Sequence, residues 1–163
     1  MHGQQMAAED GEVVNRVLVV DDDEGITELL HMVLEEEGYQ VETAATGPAA
    51  IDFLGHTKDA WIVLLDVMLP QLSGLEVCAH LRAAGPAAAR HRVALMTAGR
   101  LHAQDCPSPV RRLLRKPFDL RTLRELVAAL ANGREERPSQ PPQPRGPYTR
   151  QGDPENNHMP RSH

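Results

Sequence analysis

Six apolar residues in a row, AWIVLL at positions 60–65, stop abruptly at Asp66. An extended strand sends successive side chains to opposite faces, so this run is apolar on both. Such a strand belongs in the centre of a parallel sheet that is covered on both sides. The flanking sequence supplies the cover. Residues 16–20 (RVLVV) form a second short apolar run. Residues 24–37 then place Ile26, Leu29, Leu30, Val33 and Leu34 on one helical face, with Gly38 as the stop. Residues 39–44 read as a strand. Thr46 caps a helix with Pro48 in its first turn and an inner face of Ala50, Ile51 and Leu54. Ser73 caps another helix, which runs to about residue 84. Residues 93–96 are the next strand, and 110–114, laced with arginines, form an edge strand. Asp119 caps a last helix striped with Leu120, Leu123, Val127 and Leu130. Strand and helix in alternation, with right-handed crossovers, give a doubly wound α/β fold. Ligands of such folds sit at the carboxyl ends of the strands.

The pattern occupies residues 15–131, one domain of ordinary size. Residues 1–14 are polar and acidic and read as a flexible tail. Residues 132–163 hold seven of the thirteen prolines, with one Tyr, one Met and no Leu, Ile, Val, Phe or Trp. Too little apolar surface is available there to offset the entropy of ordering, so a Pro-rich disordered tail is expected. Its Pro-x-x-Pro spacings, such as Pro138 to Pro141, read as solvated tail before they read as a recognition ligand. No apolar run is long enough for a membrane span. The N-terminus shows no secretory pattern. Cys78 and Cys106 are too few for a disulfide framework, so the cytoplasm is the expected compartment.

Charge is distributed unevenly. Residues 15–76 hold 13 acids and 2 bases, whereas residues 77–131 hold 3 acids and 10 bases. That asymmetry points to a cation site in the first half and a basic surface in the second. The net charge of −6 does not favour a nucleic-acid partner.

The chemical residues collect where this fold would build a site. Asp21, Asp22 and Asp23 follow the first strand, Asp66 the central one, Thr97 the fourth, and Lys116-Pro117 the fifth. Crowded carboxylates repel one another and favour a hard divalent cation with oxygen ligands, Mg²⁺ above all. A metal, an ammonium and a hydroxyl together suit a transferring phosphoryl group. An aspartate is already a deprotonated nucleophile and needs no histidine base.

In that order, VLVVDDDEGI, IVLLDVMLPQLSGLEV, ALMTAG and LLRKPFDL resemble the receiver domain of bacterial two-component response regulators. The resemblance implies a chemotaxis-regulator-like, flavodoxin-like sheet of five parallel strands in the order 2-1-3-4-5. It implies that Asp66 is the phosphoacceptor, loaded by a sensor histidine kinase or phosphotransfer protein. Asp22 and Asp66 would ligate Mg²⁺, with Asp21 acting mainly through a bound water and the Met68 carbonyl as a further ligand. The Thr97 hydroxyl and Ala98 amide would hold phosphoryl oxygens, and Lys116 would pair with the phosphate. A cis Lys116–Pro117 bond is also implied. Asp23 has no such role, and Asp23-Glu24 reads as a helix start. The expected protein is a stand-alone response regulator that gains and loses a phosphoryl group without being a turnover enzyme.

Two other functions use the same residues. A haloacid-dehalogenase-like phosphatase would place its nucleophile at Asp21, but Gly25 stands where Thr or Val is usual. A degenerate receiver would keep the pocket and signal independently of phosphate. A calcium loop starting at Asp21 fails at Gly25 and Ile26, and neither a P-loop nor a dinucleotide glycine motif occurs. The eight histidines show no metal-ligand spacing and read as surface or filler, and Cys78 reads as core.

The second half departs from the family. Leu113 stands where most receivers carry a Tyr or Phe that swings inward. Thr97 and Lys116 are 19 positions apart, and Pro107 and Pro109 leave a fourth helix at most about residues 98–105. A shortened or frayed fourth helix and no rotating aromatic are therefore expected. Arg111, Arg112 and Arg115 would make the adjoining surface basic and suited to an acidic protein, and the chain should be a monomer. Light scattering of the full chain is expected to show a monomer with and without Mg²⁺ and beryllofluoride. A tight activated dimer, lost on mutating Arg111 and Arg112, would contradict this reading of the departures.

Overall fold

In the computed structural model, residues 13–133 are described. Five strands, β1 (Arg16–Val20), β2 (Gln40–Ala44), β3 (Ile62–Asp66), β4 (Arg92–Thr97) and β5 (Val110–Arg115), alternate with four α-helices. The helices are α1 (Glu24–Glu36), α2 (Gly47–His56), α3 (Gly74–Ala83) and α4 (Leu120–Ala131). All strand pairs are parallel, in the order β2-β1-β3-β4-β5. The apolar run at 60–65 contributes the central strand, buried at every position of β3. The register sets Val20 beside Leu65 and Asp66 beside Met96, so the strands end nearly level and deliver their following residues to one edge.

Alternation along the strands builds two cores. Val17, Val19, Ile62, Leu64 and Met96 meet Leu30 and Leu34 of α1 and Leu123 and Val127 of α4 on one face. Leu18, Val20, Val63, Leu65 and Leu95 meet Leu54 of α2 and Val77, Cys78 and Leu81 of α3 on the other. The expected caps form: Asp23, Thr46, Ser73 and Asp119 each accept a backbone N–H in the first turn. Ser73 and Glu76 complete a reciprocal capping box.

Four expectations need correction. Leu29 is 43% exposed, because Ile26, Leu30, Val33 and Leu34 already fill the stripe that α1 turns inward. No α-helix lies between β4 and β5; the segment holds a single 3-10 turn, Ala103–Asp105. Arg115 stays exposed, and its guanidinium also donates to the Gly99 and Leu101 carbonyls, tying that segment to β5. Asn132 and Gly133 finish α4 instead of starting a tail, their amides donating to the Ala128 and Leu130 carbonyls. The N-terminal tail expected over residues 1–14 ends sooner, since Val14 is buried in the core and its amide donates to the Ala131 carbonyl at 2.9 Å; the expected disorder otherwise falls on residues 1–12 and 134–163, outside the described residues. Lys116–Pro117 is cis, as the resemblance implies, and so is Ser108–Pro109.

Two buried polar residues have structural work that the sequence did not announce. Arg92 is buried at the start of β4 and donates to the Leu130 and Ala131 carbonyls, at 2.7 and 2.9 Å. It satisfies acceptors that α4 leaves open at its C-terminus, where a cation is also favoured. His91 is buried too, and its Nδ1 accepts the Trp61 N–H at 3.2 Å. That bond fixes the neutral ring, while Nε2 has no partner. Burial, helped by the neighbouring Arg90 charge, lowers its pKa to about 4 from 6.5.

A histidine held neutral stabilises the fold fully above pH 6.5, and the contribution is lost as pH falls toward 4. The shift corresponds to about 3 kcal/mol. Urea unfolding at pH 7 and pH 4 should show a loss of that order in the wild type beyond that in His91→Gln, which accepts the same N–H but takes up no proton. Equal losses in the two proteins would refute the assignment.

Candidate phosphoryl-transfer site

Asp21, Asp22 and Asp66 each offer a carboxylate oxygen, and the three oxygens lie within 4.8 Å of one another. β1 delivers the first two and β3 the third, because these neighbouring strands end level. Asp21 and Asp66 are 1% and 6% exposed, whereas Asp22 opens to solvent. Lys116 reaches in from beyond β5. Its Nζ donates to Asp21 Oδ2 at 2.7 Å and to Asp66 Oδ2 at 3.3 Å. The other oxygen of each buried carboxylate is also engaged. Asp21 Oδ1 accepts the Asp23 N–H at 3.0 Å, and Asp66 Oδ1 accepts the Met68 N–H at 3.2 Å.

The electrostatics follow from that arrangement. Burial pushes the Asp66 carboxyl above its ordinary value; the Met68 amide and Lys116 pull it down, and the Asp21 charge pushes it up further. Burial by itself would lower the Lys116 ammonium. Its hydrogen bonds and attraction to Asp21 and Asp66 outweigh burial and hold it above the usual lysine value. One ammonium thus faces three carboxylates, a set left with excess negative charge. An all-oxygen, anionic donor set of this kind fits a hard divalent cation.

Thr97 ends β4, buried, and its Oγ1 accepts the Gly99 N–H at 3.0 Å. A hydroxyl that accepts still has its own proton to donate. Ala98 follows it, exposed, and the Lys116 amide donates to the Thr97 carbonyl at 2.8 Å, joining the ends of β4 and β5. Met68 lies in the β3–α3 loop, 77% exposed. Asp23 stands apart from the carboxylate cluster and caps α1 by accepting the Ile26 N–H at 3.2 Å. The fold therefore brings the sequence-predicted residues to one sheet edge.

One positioning residue escaped notice in the sequence. A Cβ added to Gly74 would lie 2.4 Å from the Asp66 backbone oxygen, so only glycine lets α3 start that close to Asp66. The cue was a glycine directly after the Ser73 cap, a place where a close backbone approach is one of few reasons for it.

The family model for the response regulator receiver domain matches residues 17–128. The chain belongs to this family. The receiver is similar to the response regulator protein TrrA of Thermotoga maritima, whose structure was solved in complex with Mg²⁺ and BeF. The two are 35% identical with a TM-score of 0.61, over 72% of this chain and 99% of that one. The receiver domain of a signal transduction histidine kinase from Syntrophus aciditrophicus is 26% identical with a TM-score of 0.65, over 78% and 98%. Response regulator MprA of Mycobacterium sp. strain KMS is 49% identical over 71 residues, 43% of this chain. The match spans only 30% of the length of that relative. Neither the phosphatase reading nor the degenerate receiver gains support from these matches.

Asp66 is a buried anion whose site raises its pKa, so its charge costs stability when no cation is bound. Asp66→Asn in EDTA is expected to melt above the wild type, the direction that a raised pKa implies. A lower melting temperature would mean that the cluster stabilises the fold on its own.

Proposed function

We propose that the receiver over residues 15–131 accepts a phosphoryl group on Asp66 from a histidine kinase or a phosphotransfer protein, and signals through protein contacts. The observation that carries this reading is the bridge of Lys116 Nζ across Asp21 and Asp66 inside a three-carboxylate cluster. The bridge sets a cation beside a buried carboxylate nucleophile.

Asp66 would attack phosphorus through a carboxylate oxygen as the bond from phosphorus to the donor imidazole breaks, the imidazole keeping the electron pair. Asp66 needs no proton removed. Phosphorylation replaces one negative charge by about two. Lys116, already 3.3 Å from Asp66 Oδ2, is placed to pair with a phosphoryl oxygen. The Thr97 hydroxyl proton and the Ala98 amide are the donors for the others. Asp22, Asp66 and the Met68 carbonyl, with Asp21 through water, would hold Mg²⁺, which supplies the remaining positive charge. Water attack on the acyl phosphate would restore Asp66, so the chain is reset without turning over an external substrate.

No helix among the described residues is long and apolar enough to cross a membrane. The reading places the receiver in the cytoplasm beside its kinase, as a monomer without direct contact to nucleic acid.

Incubation with acetyl phosphate and Mg²⁺ should add one phosphoryl group to the intact mass, and EDTA or Asp66→Asn should abolish it. Lys116→Ala should retain labelling while losing the amide shifts that phosphorylation causes at residues 97–101. Undiminished labelling of Asp66→Asn would overturn the assignment.

A further inference from the structure

Residues 98–109 cross from β4 to β5 without an α-helix, and the 3-10 turn Ala103–Asp105 is their one piece of helical structure. This connection carries Ala98 directly after the buried Thr97. We propose that Arg115 is a positioning residue for phosphoryl binding: its guanidinium grips the Gly99 and Leu101 carbonyls and so holds the Ala98 N–H and the Thr97 hydroxyl toward Asp66. This role rests on the reading of Asp66 as the phosphoacceptor.

The first support is the direction of the Ala98 N–H. It shares a peptide plane with the Thr97 carbonyl, and in a trans peptide the two point opposite ways. The Thr97 carbonyl accepts the Lys116 N–H at 2.8 Å, so it faces β5. The Ala98 N–H therefore faces the other neighbour of β4, which is β3 with Asp66 at its end. Ala98 is exposed, and its N–H bonds to none of the described residues, which leaves the donor open to an anion.

The second is what fixes the chain just beyond. Gly99 is held at both of its backbone groups. Its N–H donates to Thr97 Oγ1 at 3.0 Å, and its carbonyl accepts from Arg115 Nη1 at 3.2 Å. Arg115 Nη2 donates to the Leu101 carbonyl at 2.9 Å. Ala98 thus lies between a bond from Lys116 before it and bonds from Arg115 after it, all anchored on the end of β5. The Gly99 N–H in turn occupies a lone pair of the Thr97 hydroxyl, whose own proton is left to donate. Loosening Gly99 would release both donors at once.

The third is the residue type. An α-helix starting after β4 would supply N–H donors to the Gly99 and Leu101 carbonyls from its own ladder. Without that helix the two acceptors need donors from elsewhere. A guanidinium is a planar fork that can reach two carbonyls through two different nitrogens, whereas a lysine ammonium at the same place is a point charge on a flexible stem. Arg115 in this way takes over the fixing of the segment that a helix would otherwise perform.

The test titrates the full ¹⁵N-labelled chain with Mg²⁺ alone, and then with beryllofluoride, a phosphoryl mimic, at saturating Mg²⁺. Arg115→Met and Arg115→Lys should each bind beryllofluoride about tenfold more weakly than the wild type, the effect of losing one hydrogen bond to a charged acceptor. The amides of Ala98, Gly99 and Leu101 should shift in both variants. Affinity for Mg²⁺ alone should stay at the wild-type value, because Lys116 and not Arg115 holds the carboxylate cluster. Wild-type beryllofluoride affinity in either variant would overturn the proposal; in Arg115→Lys alone it would assign the effect to charge instead of the fork. An equal loss of Mg²⁺ affinity would also overturn it, as a general loosening of the site. A wild type that binds Mg²⁺ but no beryllofluoride would bring down the phosphoacceptor reading and this role of Arg115 with it.

Discussion

The bridge from Lys116 to Asp21 and Asp66 joins the three strands β1, β3 and β5 at their carboxyl ends, across a gap of carboxylates that would otherwise repel. Much of the fold can be understood as the apparatus that makes this contact possible. β3 is buried on both faces and sets Asp66 level with the end of β1. Gly74 lets α3 begin against the Asp66 backbone, and the Lys116 amide bonds to Thr97 so that the ammonium points inward. The cluster stays electrically unbalanced, with three carboxylates and one ammonium. A site left anionic in this way can take up first a cation and then a phosphoryl group without unfolding its frame.

The remote end of the sheet is organised differently. There the buried polar groups are spent on structure: Arg92 closes the C-terminus of α4, and His91 accepts the Trp61 amide. The contrast separates two uses of buried polarity. At the carboxyl ends the charged groups share partners and retain open capacity. At the amino ends backbone groups take up most of the buried hydrogen-bonding capacity, His91 Nε2 being the exception.

The sequence made the strand ends legible because the apolar runs of β1, β3 and β4 stop at Asp21, Asp66 and Thr97, and Lys116 comes two residues after that of β5. Asp21, Asp22, Asp66, Thr97 and Lys116 could be placed on one edge before any coordinate was known, since parallel strands must end on the same side. Residues whose roles depend on contacts far along the chain were not legible in this way. Arg92 lies 38 positions from the Leu130 carbonyl that it binds, and His91 lies 30 from Trp61. Leu29 shows a different limit, because helical periodicity marks a face but not how wide a stripe the sheet can cover. Between β4 and β5 the two prolines limited any helix to a few residues, and no α-helix forms there. That the remainder would be one 3-10 turn held by Arg115 depended on a side chain reaching back to Gly99 and Leu101.

The central claim is that the carboxylate cluster is held ready for a divalent cation, and a melting titration with Mg²⁺ tests it most directly. Binding to the folded state alone raises stability in a saturable way. The account predicts a saturable rise in the wild-type melting temperature that largely disappears in Asp22→Asn, whose side chain is exposed and whose fold should otherwise be intact. A wild-type melting temperature indifferent to Mg²⁺, or an equal rise in Asp22→Asn, would contradict it.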